Sequence, residues 1–164
     1  MRWAWAVLAI LTGCQYSANR HATRPIPAEE LVGNWTLTQY GLESLRAVGV
    51  KTHLSRSDNV LELRSDKSCT IRTFFGLPGP APEYRVYDSG CTWRLGNVGH
   101  QALLFDLVPP PGMGDAYFYF AEEQGQVIIW WYVSDPDAWK YLEFARGGVE
   151  RADGADGASR RPRW

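Results

Sequence analysis

The sequence predicts an all-β domain, an antiparallel up-and-down barrel or half-barrel of about eight strands. Short runs alternate apolar with polar side chains and are rich in β-branched and aromatic residues. Clusters of Gly, Pro, Asp and Asn separate these runs at hairpin-length intervals. A series of hairpins leaves two exposed sheet edges unless the ends meet, so closure into a barrel is expected.

The predicted strands fall within residues 29–147, a length sufficient for one domain with its own core. They cover residues 35–40, 61–64, 68–75, 84–87, 91–95, 102–108, 116–121, 127–133 and 141–145. Helical spacing is weak except at residues 42–48, which predicts one short helix there. Residues 148–164 are rich in Gly, Ala, Asp and Arg and predict a disordered tail.

The N-terminus has the pattern of a signal peptide over residues 1–13. Arg2 supplies a positive charge, and residues 3–11 are apolar. A membrane-spanning helix needs about 20 apolar residues, so this run is too short to be one. The stretch Leu11-Thr12-Gly13-Cys14 resembles the lipobox of bacterial lipoproteins. The alternative is an ordinary signal peptide in which Cys14 has no special role.

The lipobox resemblance implies a lipid-anchored protein of the bacterial cell envelope. Proteins of that class are cleaved before the cysteine, here Cys14, which receives a diacylglyceryl group and usually a further acyl chain on its new amine. Two or more acyl chains make a stable membrane anchor. Gln15, in place of Asp, implies the outer membrane, with the domain facing the periplasm. Residues 14–28 are polar, contain two prolines and predict a flexible lipidated stalk.

Gly33-Asn34-Trp35, at the start of the first predicted strand, resembles the Gly-x-Trp opening of lipocalins and lipocalin-like domains. The order and number of the predicted strands agree with that resemblance. It implies a lipocalin-like barrel in which Trp35 packs across the closed end and the lumen binds a small apolar molecule. The alternative is that Trp35 is a core aromatic residue of an ordinary β-sandwich.

Cys69 and Cys91 are an even pair in a chain expected outside the cytoplasm, which predicts a disulfide bond. Cys69 shares a strand face with Ile71, and Cys91 shares one with Trp93, so both sulfur atoms can point inward. There is no C-x-x-C spacing and no neighbouring His. A structural bond between the third strand and the Cys91 strand is therefore expected, and neither a redox nor a metal role is.

Two strongly aromatic runs flank residues 122–125, which predict a four-residue hairpin loop with Gly125 at positive φ. One face of this hairpin is apolar and core-like, and it holds Phe118, Phe120, Val127, Ile129 and Trp131. The other face holds Tyr117, Tyr119, Ile128, Trp130 and Tyr132.

Large side chains with polar groups are better suited to a binding site than to a face exposed only to water. The candidates for a ligand-cavity wall or a partner-binding surface are therefore Tyr117, Tyr119, Trp130 and Tyr132. The alternative is ordinary stacking between strands, with this face shielded by the tail or by the short helix.

The sequence predicts binding and no enzymatic activity, since it carries no nucleophile-elbow or zinc-hydrolase motif and no phosphate-cradling glycine loop. No cofactor or metal is expected, because Asp135 and Asp137 lie in a turn-like run that offers few oxygen ligands. His53 and His100 lie beside turns and are expected at the surface. The signal peptide contains one basic and no acidic residue, leaving 16 basic and 18 acidic side chains, which argues against a nucleic-acid partner.

Two functions remain open. In the first, the lipid-anchored barrel binds a small apolar ligand, and Tyr117, Tyr119, Trp130 and Tyr132 line its lumen. In the second, the protein is an envelope module, an inhibitor, adaptor or assembly factor, that binds another envelope protein through its outer face. The sequence leaves both open, because the direction in which the sheet curls decides which hairpin face is the lumen.

Overall fold

The computed structural model describes residues 20–50, 55–75, 83–108, 116–133 and 140–147. These residues form nine strands, each antiparallel to its neighbours, and one α-helix. In chain order they are β1 (Gly33–Leu37), α1 (Gln39–Ala47), β2 (Val60–Leu63), β3 (Cys69–Phe75), β4 (Glu83–Tyr87), β5 (Cys91–Val98), β6 (His100–Leu107), β7 (Ala116–Glu123), β8 (Gln126–Tyr132) and β9 (Tyr141–Arg146). The predicted all-β antiparallel architecture is confirmed.

Helix α1 begins three residues earlier than predicted. Thr38 is its N-cap, and the Thr38 hydroxyl accepts a hydrogen bond from the Gly41 N–H over 3.1 Å. Thr is a favoured capping residue, so the chain turns into the helix although apolar alternation continues to residue 40. The helix packs so closely on β9 that a Cβ at Gly41 would lie 2.9 Å from the backbone nitrogen of Glu143.

The sheet closes on itself beside β3. Hydrogen bonding orders the strands β4-β3-β2-β1-β9-β8-β7-β6-β5, so β4 and β5 are its two ends. Ile71 of β3 pairs with Tyr87 at the end of β4, and Ser68, just before β3, pairs with Thr92 of β5. β4 and β5 therefore lie one after the other alongside β3, as one bent strand would. The result is a nearly closed barrel with eight positions around its wall, in agreement with the prediction of about eight strands.

The predicted disulfide bond joins Cys69 to Cys91 at the closure point, where β5 meets the start of β3. The two Cα atoms are 5.1 Å apart, and both side chains are buried. Beside the bond, the Trp93 N–H donates to the Lys67 carbonyl over 2.8 Å. Backbone pairing links the start of β3 to β5 over only a short stretch. The disulfide is therefore a major restraint on barrel closure.

The interior of the barrel is filled by apolar side chains that come from each of the nine strands. Its largest fully buried members are Trp35, Trp93, Phe118, Phe120 and Phe144. The hairpin face predicted to be core-like points into this interior: Phe118, Phe120 and Ile129 are buried there. Val127 and Trp131 pack against them, so the predicted sorting of the hairpin into two faces is confirmed.

Residues 20–31, here called the N-terminal segment, pack against the barrel. Ile26 and Leu31 are fully buried in the interior cluster. The Ile26 N–H donates to Gln101 Oε1 over 2.7 Å, and Gln101 Nε2 donates to the Ile26 carbonyl over 2.9 Å. The structure thus contradicts the flexible-stalk prediction over residues 20–28. One isoleucine between two prolines gives no apolar period, so the sequence pattern did not reveal this packing.

The remaining N-terminal predictions concern residues outside the described part of the chain. They are the signal peptide, the lipobox with Cys14 and the start of the stalk, all within residues 1–19. The predicted tail, residues 148–164, also lies outside the described part of the chain. Among the described residues, no helix has the length and apolar composition needed to cross a membrane.

Trp35 is buried near the end of the barrel where the chain enters β1. Its indole N–H donates to the Leu31 carbonyl over 2.8 Å. The Arg146 guanidinium lies 5.3 Å from the Trp35 ring centroid and donates to the carbonyls of Glu30 and Val32, each over 2.6 Å. Arg146 thereby covers the indole and ties the end of β9 to the N-terminal segment.

Replacing both Cys69 and Cys91 with Ala is expected to lower the free energy of unfolding by roughly 3 kcal/mol, because the bond closes a loop across a separation of 22 residues. The closure point should also loosen first, so the Trp93 amide should exchange with deuterium faster than in the parent protein. Denaturant titration and hydrogen-exchange mass spectrometry measure both effects. Equal stability and unchanged exchange near Trp93 would contradict the assignment of the disulfide as the closing restraint.

Candidate functional site

The hairpin of β7 and β8 turns at Gln124 and Gly125, whose φ angles are 52° and 77°. Glu122 pairs with Val127 and Glu123 pairs with Gln126, so the strands run closer to the turn than the predicted four-residue loop allowed. Gly125 has the positive φ that the sequence predicted. Compared with the pairing that a four-residue loop would give, each residue pairs with a partner two positions further along the chain. Because side chains alternate with period two, every residue keeps its predicted face.

The outer wall of the barrel, opposite the interior cluster, carries the four candidate residues Tyr117, Tyr119, Trp130 and Tyr132. With Tyr141 of β9 they form what is here called the outer aromatic face. Trp130 is 0% exposed and Tyr141 is 3% exposed, whereas the three hairpin tyrosines are half-buried. Of the two alternatives that the sequence left open for this face, lumen and exterior, the structure has the exterior one. The purely apolar face turned inward, and the face with polar groups turned outward.

The rings of the outer aromatic face form one continuous cluster across three strands. The Trp130 ring centroid lies 5.4 Å from Tyr119, 5.2 Å from Tyr132 and 5.1 Å from Tyr141. The Tyr117 and Tyr119 centroids are 5.4 Å apart. Burial raises the pKa of Tyr141 to about 12 and also raises the pKa of Tyr119. The two phenols therefore stay protonated near neutral pH, and Tyr119 donates to the Val98 carbonyl over 3.1 Å.

A buried ion pair between Arg20 and Glu143 holds the start of the N-terminal segment against this face. The Glu143 side chain is 0% exposed and that of Arg20 is 17% exposed. The Thr38 hydroxyl donates to Glu143 Oε1 over 3.1 Å, and the Arg20 guanidinium lies 4.2 Å from the Tyr141 ring centroid. A carboxylate is stable at such a site only when a cation and hydrogen-bond donors meet it, so Glu143 specifies where Arg20 lies.

His21 extends the cover over Trp130. Its ring stacks on His100 with centroids 3.6 Å apart, and it lies 4.7 Å from Tyr119 and 5.1 Å from Trp130. The next residue, Ala22, donates its N–H to the Phe120 carbonyl over 2.8 Å, just past the last pairing between β6 and β7. Desolvation by burial and the nearby His100 lower the pKa of His21 to about 4, so its ring is neutral at neutral pH.

The predicted surface position of His100 agrees with its exposure, although the ring is stacked on His21. His53, Asp135 and Asp137 lie outside the described residues. Within the residues that are described, no three His, Cys, Asp or Glu side chains are grouped as a metal site would require.

A cleft of about 390 Å³ lies at the end of the barrel beside Trp35. Its lining is formed by Glu30, Trp35, Gly125, Gln126, Val127, Arg146 and Gly147. Small-molecule sites are lined mainly by apolar and aromatic side chains with few polar groups. Glu30, Gln126 and Arg146 stand beside Trp35 and Val127 in this lining, so the cleft offers both polar and apolar groups.

No family model, curated protein sequence or solved structure matches this chain.

The residues that cover the outer aromatic face were not predicted from the sequence. Arg20 and His21 fall in the predicted flexible stalk, and Glu143 falls in a predicted strand to which no special role was given. One signal was available: Glu143 is the single charged residue in the otherwise apolar run from Tyr141 to Ala145. A carboxylate inside such a run predicts a buried cationic partner, although it does not identify that partner.

Replacing Arg20 with Ala is expected to lower the free energy of unfolding by about 3 kcal/mol, because the buried Glu143 carboxylate loses its cation. Urea titration of the two proteins measures the difference. Arg24→Ala is the matched control: its ion pairs with Glu30 and Glu122 are exposed, so the loss should be much smaller. Equal losses from the two substitutions would show that the Arg20–Glu143 pair is not the main contact of the segment.

Acidification is expected to weaken the docking of His21. The docked ring has a pKa of about 4, below the ordinary value of 6.5, so the undocked state binds more protons between these two values. The stabilising effect of the neutral ring is therefore complete above about pH 6.5 and is lost progressively as the pH falls to about 4. The Ala22 amide resonance, followed by NMR during an acid titration, reports this change.

His21→Phe is the control for that titration, because it keeps an aromatic ring on His100 and Trp130 but cannot take up a proton. The Ala22 resonance of this variant should not move with pH in the same window. An identical titration curve for the variant would assign the pH dependence to another group.

Proposed function

We propose that this chain is a lipid-anchored protein of the bacterial cell envelope whose barrel is a binding module, and that it acts through the outer aromatic face. In this proposal the acyl chains on Cys14 hold the protein in a membrane, and the barrel presents its outer wall to a partner in the envelope. The observation that carries the proposal is the position of Tyr117, Tyr119 and Tyr132. They are half-buried aromatic residues on the outside of a barrel whose interior is filled by its own side chains.

The chemistry of the outer aromatic face supports binding. Tyrosine and tryptophan supply a large contact area at a small cost in side-chain entropy, and their hydroxyl and indole groups form directional hydrogen bonds. A wall of an antiparallel barrel that faces only water typically carries charged and small polar side chains. The wall around β3 has this character, since Arg72 and Asp88 form an exposed ion pair there.

The same geometry favours a surface-binding module over a carrier of a small apolar molecule. Large rings such as Trp93, Phe118 and Phe144 occupy the interior, which the first of the two functions left open by the sequence assigned to a ligand. Native mass spectrometry of the mature protein, purified from the membrane fraction, distinguishes a surface-binding module from a carrier. A surface-binding module gives the bare chain mass, whereas an apolar molecule that is lost only on denaturation would support the carrier.

Photo-crosslinking in intact cells tests the proposal directly. A photoreactive amino acid at Tyr117 is expected to give adducts with an envelope component, protein or phospholipid, detected by mass spectrometry of the purified chain. The matched control position is Val86 of β4, which is 51% exposed and lies on the outer wall far from the hairpin. Adducts at Val86 as abundant as those at Tyr117 would contradict binding through the outer aromatic face.

The anchor is tested in the same cells. Cys14→Ser should move the protein from the membrane fraction to the soluble fraction and should reduce the Tyr117 adducts, because the barrel is no longer held at the envelope surface. Continued sedimentation of the variant with membranes in detergent-free buffer would contradict lipidation of Cys14.

A further inference from the structure

The N-terminal segment determines which wall of the barrel can approach a membrane. Arg20 is docked on the outer aromatic face, where its guanidinium lies near Tyr141 and pairs with the buried Glu143. Five residues, 15–19, separate Arg20 from Cys14. A fully extended chain of this length spans about 20 Å. A lipid anchor on Cys14 therefore keeps the docked Arg20, and the aromatic rings around it, within about 20 Å of the bilayer surface.

The side chains around that attachment point have the chemistry of a membrane interface. Tyr117, Tyr119 and Tyr132 are half-buried, and the ring centroid of Tyr40 in α1 lies 6.3 Å from that of Tyr141. Tyrosine and tryptophan are enriched at the level of lipid headgroups, because the ring prefers the apolar side and the hydroxyl or indole N–H stays in the polar layer. These four tyrosines lie on or beside the wall of the barrel on which Arg20 is docked.

We infer that the outer aromatic face is a lipid-interface docking surface, and that it seats the barrel on the membrane to which Cys14 is anchored. This inference rests on the proposed function and names the partner of the same surface. The aromatic contact needs little affinity of its own. A short linker confines it to an effective concentration of about millimolar, which turns weak interfacial binding into a persistent orientation.

The charges beside the surface indicate that contact with lipid depends on the aromatic rings more than on electrostatic attraction. Arg20 pairs with Glu143 and lies 3.7 Å from Glu123, while Arg24 pairs with Glu30 and Glu122. His21 is neutral near neutral pH, because burial lowers its pKa. These two arginines meet four glutamates, so no unpaired basic group of this set is left to attract anionic lipid. Anionic lipids should therefore not improve the contact over neutral ones, and raising the salt concentration should not weaken it.

The test uses the full mature lipidated chain reconstituted into vesicles of phosphatidylcholine alone. A single cysteine is introduced as Tyr132→Cys or Tyr117→Cys on the surface, or as Val86→Cys on the far wall, and carries an environment-sensitive fluorophore. We expect the emission of the labels at positions 132 and 117 to shift to shorter wavelength. Brominated lipids should quench them severalfold more than the label at position 86. One label per chain confirms that the Cys69–Cys91 bond is intact, and an unchanged urea midpoint confirms that the variant is folded.

Equal quenching at all three positions, or none at 117 and 132, overturns the inference. Failure of the membrane docking can be distinguished from failure of the proposed function. If vesicles show no contact while the in-cell adducts at Tyr117 are with a protein, the surface binds a protein partner and the membrane docking is wrong. If neither experiment gives contact at Tyr117, the outer aromatic face has no binding role and both proposals fail.

Discussion

The ion pair between Arg20 and Glu143 is the interaction on which the arrangement of the outer wall depends. Strand β9 is buried on both faces, because its outer face lies beneath α1 and the N-terminal segment. A carboxylate in that position destabilises the fold unless a cation reaches it, and the cation comes from more than 120 residues away along the chain. By pairing with Glu143, Arg20 places His21 over Trp130 and fixes the point from which the chain runs towards Cys14. The packing of one strand thereby determines which wall of the barrel lies nearest the proposed anchor.

Much of the fold was predictable because it follows from local pattern. All nine strands overlap the predicted runs, although α1 takes residues 39 and 40 of the first run. The two faces of the aromatic hairpin are sorted as expected. Face assignment depends only on whether the register is odd or even, so it survived an error of two residues in the loop. The Cys69–Cys91 bond was predictable for a related reason: each cysteine shares a face with a core residue, Ile71 or Trp93. A strand face is a property of five or six neighbouring residues, and a sequence shows it directly.

The candidate site was less predictable because it depends on relations between distant parts of the chain. Nothing local specifies whether Trp130 faces the lumen or the exterior, since both faces of the hairpin are aromatic. The sheet curls towards the face without polar groups, where Phe118 and Ile129 fill the interior with no hydrogen bonds to satisfy. The N-terminal segment was missed because its contacts are single residues, Arg20, His21 and Ile26, each specified by a partner far away in sequence. Such a segment has no period for a pattern to detect.

The position of His21 against Trp130 underlies the covering of the outer wall, and the proposed orientation of the barrel towards a membrane depends on it. Nuclear Overhauser contacts in the soluble Cys14→Ser protein measure it most directly. We expect contacts from the His21 ring to the rings of Trp130 and His100, whose centroids lie 5.1 Å and 3.6 Å away. Random-coil chemical shifts at residues 20–22, together with contacts from Trp130 to the interior ring of Phe144, would contradict this expectation.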